Sequence, residues 1–201
     1  MNEQDVFILA DRTLQSVINQ IRDDQWSMTV PPDFPTSGGG AAATLREIIG
    51  YHAYDDAWVP DMLAGRTIAE VGEDAYTDDV LGDDPKAGFA TYVDQACGAV
   101  ADLDDPERVT HLSYGDFPAR EYLTHITSFR GLRAHDIAKV IGVSTVLPPD
   151  LVQGLWDQML PQIDQWRAVG VFPPEVQVPD DASLQDRLLG LTGRQPDAQY
   201  P

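Results

Sequence analysis

The chain of 201 residues is long enough for one domain of ordinary size, and its hydrophobic fraction of 43% is typical of a folded protein. Aspartate and glutamate outnumber lysine and arginine by 33 to 13, which gives a formal net charge of −20. Such a surface repels phosphate groups, so we expect neither nucleic-acid nor membrane binding. The N-terminus lacks the features of a signal peptide, no apolar stretch is long enough to cross a membrane, and the single cysteine cannot form an internal disulfide. Together these features predict a cytoplasmic protein.

Helical periodicity dominates the first half of the chain. A first predicted helix, 5–22, carries apolar residues every three or four positions. After a loop rich in proline and glycine, Thr44 and Glu47 form a capping box that opens a second helix, which ends at Gly65. A third helix begins at Asp84, with a proline in its first turn.

The second half continues with a short segment, 107–118, that is rich in β-forming residues and bounded by turns. It predicts a small hairpin or an irregular crossover. A fourth helix is predicted over 119–140. A fifth begins at the sequence LPPD and runs to Ala168, with a kink at Pro161. A last short helix begins near Ser183.

These elements predict an all-α protein. Long helices joined by substantial loops suit a four-helix bundle with a short crossover segment, residues 1–147. The fifth helix and the tail, residues 148–201, are expected to pack on the bundle as a C-terminal extension within one structural domain. Trp156 and Trp166 on the fifth helix can either cover the core beneath the tail or form a homodimer contact.

Two polar residues interrupt the apolar stripe of the second helix. His52 and Asp56 lie one turn apart on the face that we expect to be buried. Burying both is costly unless each finds a partner. They form either a hydrogen-bonded pair or part of a metal or catalytic site between helices.

The fourth helix carries a histidine on an unusual face. His135 aligns with Thr124, Ser128 and Gly131, on the side opposite to the main apolar stripe. A solvated face of so acidic a protein should be charged, so we expect this face of small residues to be covered by another helix or to border a pocket. If the second helix lies opposite, His52 and His135 converge.

Two arginines lie within the apolar side of the same helix. Arg130 and Arg133 are expected to pair with aspartates in the interior, and an anion-binding role is the alternative. Cys97 lies beside the stripe of the third helix, which indicates a core residue rather than a reactive thiol.

Four stretches of the chain carry a family resemblance: TLREIIGYHAYDDAWVPDMLAG, LSYGDFPAREYL, RAHDIAKVIG and WRAVGVFPPEVQVPDDASLQDRLLGLTGRQP. Over nearly its whole length the chain resembles the mycothiol-dependent maleylpyruvate isomerase family of actinobacterial proteins, within the DinB-like helical-bundle superfamily. The tail is the most specific stretch, because sequences of the family commonly end with a segment that contains the motifs DRLL and GR-P. The resemblance implies a DinB-like four-helix bundle with a divalent metal, usually zinc, between helices two and four.

The resemblance also implies the ligands of that metal. His52 matches the family's first metal histidine and His135 the last. The family's glutamate, four residues before the second histidine, is replaced here by Gly131. Catalytic zinc generally has three protein ligands, so we suggest that Asp56, one turn after His52, supplies the third.

Three functions are considered for these residues. In the first, the metal activates mycothiol or a similar low-molecular-weight thiol, whose thiolate attacks a small electrophile in an S-transferase or isomerase reaction. In the second, the chain has lost the metal and acts as a small-molecule-binding or interaction protein, using the gap that Gly131 leaves. A metal-free reaction with the His52–Asp56 pair as general base ranks third. The expected pocket residues are Tyr51, Tyr54, Trp58, Ser128 and Gly131.

Overall fold

The computed structural model describes residues 1–35 and 43–196. Within these ranges the protein is mainly α-helical, with eight α-helices, one 3-10 turn and one two-stranded sheet. The helices are α1 (Glu3–Ile18), α2 (Leu45–Leu63), α3 (Ile68–Val71), α4 (Pro85–Ala101), α5 (Ala119–Ile141), α6 (Pro149–Met159), α7 (Ile163–Ala168) and α8 (Leu184–Leu191). The strands are β1 (Val109–Leu112) and β2 (Gly115–Pro118), and the 3-10 turn is Asp23–Gln25.

Capping side chains fix the helix starts that the sequence predicts. The Thr44 hydroxyl accepts the backbone N–H of Glu47, while the Glu47 carboxylate accepts the backbone N–H of Thr44, so the predicted capping box of α2 is confirmed. Asp84 caps α4 through the backbone N–H groups of its first turn, and Ser183 caps α8 in the same way. The first helix begins earlier than expected, because Asn2 provides its cap.

Two predicted elements take a more definite form. The segment expected to be a hairpin or a crossover is an antiparallel hairpin, in which Val109 pairs with Pro118 and Leu112 with Gly115. The predicted fifth helix is two helices, because Pro161 has no N–H to donate and its ring obstructs a continuous helix. The chain therefore turns between α6 and α7.

Buried residues of α1, α2, α4, α5, α6 and α8 form the core. The helix α1 packs against α4 and α5, α2 packs against α4 and contacts α5, and α6 contacts α1, α5 and α8. No helix of the described residues is long and apolar enough to cross a membrane. Fully buried members of the core include Phe7, Leu14, Ile49, Phe89, Leu123 and Ile137.

The C-terminal segment is attached to α5 by a buried ion pair. The Arg194 guanidinium donates two hydrogen bonds to the Asp136 carboxylate, both of 2.8 Å. Gly193 precedes this arginine with φ at +77°, and a Cβ atom at this position would collide with the Pro173 ring. The GR motif of the tail therefore has a structural role, because Arg194 joins the tail to Asp136 on α5, the residue that follows His135.

The two tryptophans of the C-terminal helices make contacts within the chain. Trp166 is buried and packs on Phe172, while the ring of partly buried Trp156 lies 4.9 Å from the Arg187 guanidinium carbon. These contacts favour the first of the two roles expected for them, cover over the core. The homodimer stays a prediction.

Candidate functional site

A cavity of about 920 Å³ opens between α2, the hairpin, α5 and α7. Its wall is rich in aromatic rings: α2 supplies three, the hairpin two, and α5 and α7 the rest. Wide aromatic pockets of this size are typical of small-molecule sites. The aromatic residues that line it are Tyr51, Tyr54, Trp58, Tyr114, Phe117, Tyr122, Phe129 and Trp166.

His52 lies on the cavity wall and is 3% exposed. Its Nε2 accepts a hydrogen bond from Nε of Arg133, at 3.1 Å. A guanidinium N–H can only donate, so Nε2 carries the lone pair and the ring proton sits on Nδ1. Burial, followed by the charges of Arg133 and Arg130, holds the pKa of His52 well below its usual range. His52 is therefore neutral, with an N–H on Nδ1.

The Nδ1 group of His52 has no hydrogen-bond partner among the described residues, although it is buried. An unsatisfied buried donor costs about 1–3 kcal/mol. A ligand oxygen or nitrogen that accepts from Nδ1 would recover that cost. This donor is the strongest indication that something binds in the cavity.

Arg133 is held in place from several sides. Its Nη1 donates to the Pro35 carbonyl at 2.6 Å, and its guanidinium carbon lies 4.8 Å from the centre of the Phe34 ring. The carboxylate of Asp136 is 3.7 Å from Nη1. These contacts fix the guanidinium and, through it, the orientation of the His52 ring.

Asp56 lies in the core, next to the cavity but outside its lining. Arg130, 1% exposed, donates from Nε and Nη2 to Asp56 Oδ1, the former at 2.8 Å. Asp11 on α1 is also close, with Oδ1 3.4 Å from the Arg130 Nε. The expectation that Arg130 pairs with interior aspartates is thus confirmed, and Asp56 pairs with it rather than with His52.

The carboxyls of Asp11 and Asp56 share this one guanidinium. Burial raises the pKa of Asp11 well above its usual range, and the neighbouring Asp56 raises it further. Burial also raises the pKa of Asp56, against the opposing effect of Arg130. Oδ1 of Asp11 and Oδ2 of Asp56 accept no hydrogen bond from the described residues, so Arg130 is the main counter-charge of both carboxyls.

Cys97 completes this buried cluster from α4. Its Sγ donates to Oδ2 of Asp11 at 3.7 Å. Burial raises the pKa of the Cys97 thiol to about 12, with the Asp11 charge as the next cause. The thiol is protonated and buried, which agrees with its interpretation as a core residue.

His135 lies near the C-terminal end of α5 and does not line the cavity. Its Nδ1 bonds to the Thr145 carbonyl oxygen at 3.1 Å. Burial lowers the pKa of His135, against a raising effect of that hydrogen bond. The small-residue face that includes this histidine is buried as expected. It does not, however, bring His135 to the cavity.

Gly131 is covered by another helix rather than open to a pocket. A Cβ atom at this position would lie 2.6 Å from Cδ1 of Leu155 on α6. The space that the family glutamate would occupy is therefore filled by a leucine. Of the expected pocket residues, Gly131 is the one that does not line the cavity, whereas Tyr51, Tyr54, Trp58 and Ser128 do.

The three suggested metal ligands do not meet in one place. Asp56 Oδ1 receives the Arg130 guanidinium, His52 Nε2 receives that of Arg133, and His135 bonds to a backbone carbonyl. A cation at His52 would also be repelled by the two arginine charges. Residues 1–35 and 43–196 hold no group of three or more His, Cys, Asp or Glu side chains that could bind a metal ion. The present arrangement does not fit a metal centre.

The structure adds site residues that sequence reasoning missed. Asp55 lines the cavity, and burial raises its pKa to about 6. The hydroxyl of Tyr114 lies 3.3 Å from Nδ1 of His125, whose ring packs edge-on against Trp166. Tyr114 and Trp166 come from the hairpin and α7, far from α2 along the chain, and no local pattern indicates that they meet. Asp55 could have been proposed from the sequence, since it is next to Asp56 on α2.

Comparisons of the chain with family models, with curated proteins and with solved structures found no match. The resemblance to the mycothiol-dependent maleylpyruvate isomerase family consequently rests on the four sequence stretches alone. Family membership, and the zinc and mycothiol that it implies, stay predictions.

Proposed function

We propose that the chain is a small-molecule-binding protein whose ligand occupies the aromatic cavity and accepts a hydrogen bond from Nδ1 of His52. The observation that carries this proposal is that His52, which lines the cavity, has a buried Nδ1 without a hydrogen-bond partner among the described residues. The volume of about 920 Å³ lies within the usual range for ligand pockets. Because Arg133 determines which ring nitrogen carries the proton, the donor is preorganised.

The proposal includes the finer architecture, a DinB-like four-helix bundle formed by α1, α2, α4 and α5. Packing of α1 on α4 and α5, and of α2 on α4, supports it. In such bundles, ligand sites are built from side chains on facing helices. The cavity between α2 and α5, closed by the hairpin and α7, follows that scheme.

A metal-dependent thiol S-transferase or isomerase is the second candidate. One observation favours it besides the resemblance, namely that His52, which matches the family's first metal histidine, lies on the cavity wall. The positions of Asp56, His135 and Gly131 do not support it. Elemental mass spectrometry of the untagged protein and of His52→Ala separates the candidates. Stoichiometric metal that is lost in the variant would support the enzyme.

Binding in the cavity can be tested with a fragment library on metal-stripped protein, followed by saturation-transfer NMR. Ile126→Trp extends a lining side chain into the cavity, while Val146→Trp places the same ring at a site that is 77% exposed and outside it. We expect fragments to bind the wild type and Val146→Trp but not Ile126→Trp. His52→Phe should weaken fragments that contain a hydrogen-bond acceptor and spare purely apolar ones. Failure to find any bound fragment, or equal binding to Ile126→Trp, would refute the proposal.

A further inference from the structure

Asp55 lines the cavity, and no cationic side chain of the described residues forms an ion pair with its carboxylate. It is partly buried, and its side chain makes no hydrogen bond or ion pair with the described residues. Asp56, the next residue, is fully buried and paired with Arg130. A carboxylate removed from water without a cation loses solvation that nothing replaces. The Arg130 charge acts on Asp55 without forming an ion pair with it, so a cationic ligand beside the carboxylate would stabilise it.

Tyrosine and tryptophan rings line the same cavity as this carboxylate. The Asp55 charge is the main cause of the raised pKa of Tyr51. For Tyr114, burial is the main cause and the Asp55 charge is the second, and the pKa of Tyr114 is raised to about 12. Tyr54 packs edge-on against Trp58, with ring centres 6.2 Å apart. Faces of tyrosine and tryptophan rings attract cations, especially where water is excluded.

The charges of the other lining residues agree with a cationic ligand. Among the described lining residues, four are acidic and one is an arginine, whose guanidinium already contacts His52, the Pro35 carbonyl and the Phe34 ring. The chain as a whole has a formal charge of −20, which attracts cations over a distance. The acidic lining residues are Glu47, Asp55, Glu73 and Glu121.

We infer that the cavity selects an organic cation, in which an amine or quaternary ammonium group lies against Asp55 and the tyrosine rings of the cavity, on an apolar body that also carries a hydrogen-bond acceptor for His52. This inference rests on the proposed function and adds the class of ligand. Neutral and anionic molecules of the same shape bind less tightly.

Three probes of one shape test the inference by calorimetry or NMR titration. They are benzyl(2-hydroxyethyl)dimethylammonium, its neutral carbon isostere 3,3-dimethyl-4-phenyl-1-butanol, and the anion 3,3-dimethyl-4-phenylbutanoate. We expect the cation to bind about tenfold or more tighter than the other two. Asp55→Asn should remove that preference, while Asp180→Asn, which neutralises an exposed aspartate outside the cavity, should keep it. Circular dichroism melting establishes that both variants fold.

The outcomes separate this inference from the proposed function. Equal or tighter binding of the neutral or anionic probe, or an unchanged preference in Asp55→Asn, would overturn the cation inference and leave small-molecule binding intact. The same holds if none of the three probes binds while other fragments occupy the cavity. If no fragment of any charge binds, both proposals fail.

Discussion

Arg130→Met removes the guanidinium that lies between Asp56 and Asp11 and leaves a side chain that fits an apolar core. The two hydrogen bonds to Asp56, the bond to the Ile126 carbonyl and the contact with the Phe7 ring are all lost. Breaking a buried pair by removing one partner costs about 3–5 kcal/mol, because the other charge stays buried. That is a large share of the roughly 5–15 kcal/mol by which a domain is stable.

The loss should depend on pH in a definite direction. Burial raises the pKa of both carboxyls in the folded state, and Arg130 opposes the rise. Without the guanidinium, both pKa values lie further above those of the unfolded chain. A group of this kind stabilises the fold where it is protonated and loses that effect as pH rises through its folded pKa. The variant should therefore lose more stability at about pH 8 than at about pH 5.

Urea unfolding followed by circular dichroism, at several pH values, measures both effects. Arg22→Met is the matched control, since Arg22 forms an exposed ion pair with Asp24 and should cost less than about 1 kcal/mol. Adding Asp56→Asn and Asp11→Asn to Arg130→Met removes the uncompensated charges and should restore most of the stability. A cost for Arg130→Met below about 1 kcal/mol, or one that is the same at both pH values, would refute this reading of the cluster.

Three further predictions concern the packing around the site. Gly131→Ala should lower the free energy of unfolding by about 1–3 kcal/mol through overpacking against α6, whereas Gly98→Ala, at a helical site with open space, should raise it by up to about 1 kcal/mol; equal effects in urea unfolding would contradict this. Arg194→Ala should cost about 3 kcal/mol by leaving the buried Asp136 carboxylate with only the more distant Arg133 guanidinium, 3.7 Å away, and a loss below about 1 kcal/mol would show that the tail is held by other contacts. Cys97 should react slowly with iodoacetamide in the native protein and rapidly in urea, since its pKa is raised to about 12; rapid labelling of the native protein by mass spectrometry would disprove it.

The helices of this chain follow from local signals, and so does the burial of its polar residues. The capping pair Thr44–Glu47 and the Asp84 cap give the starts of α2 and α4 directly. Helical spacing also predicts that His52 and Asp56 are buried, because both interrupt an apolar stripe. These inferences need no knowledge of the neighbouring helices.

The partners of those buried residues depend on tertiary packing. His52 and Asp56 face different arginines of α5, one turn apart along that helix, and sequence spacing on α2 cannot choose between pairing them together and pairing each across the interface. In the sequence, the missing side chain of Gly131 suggests open space, yet the Leu155 side chain of α6 occupies that space. The cavity itself combines α2 with the hairpin and α7, whose approach is set by long-range contacts.

A crystal structure of the protein grown with its tightest-binding fragment tests the central claim, that the cavity binds a small molecule through His52. The account predicts fragment density inside the aromatic cavity, with an acceptor atom within hydrogen-bond distance of Nδ1 of His52. Density on another surface, or inside the cavity with Nδ1 still unpartnered, would contradict it.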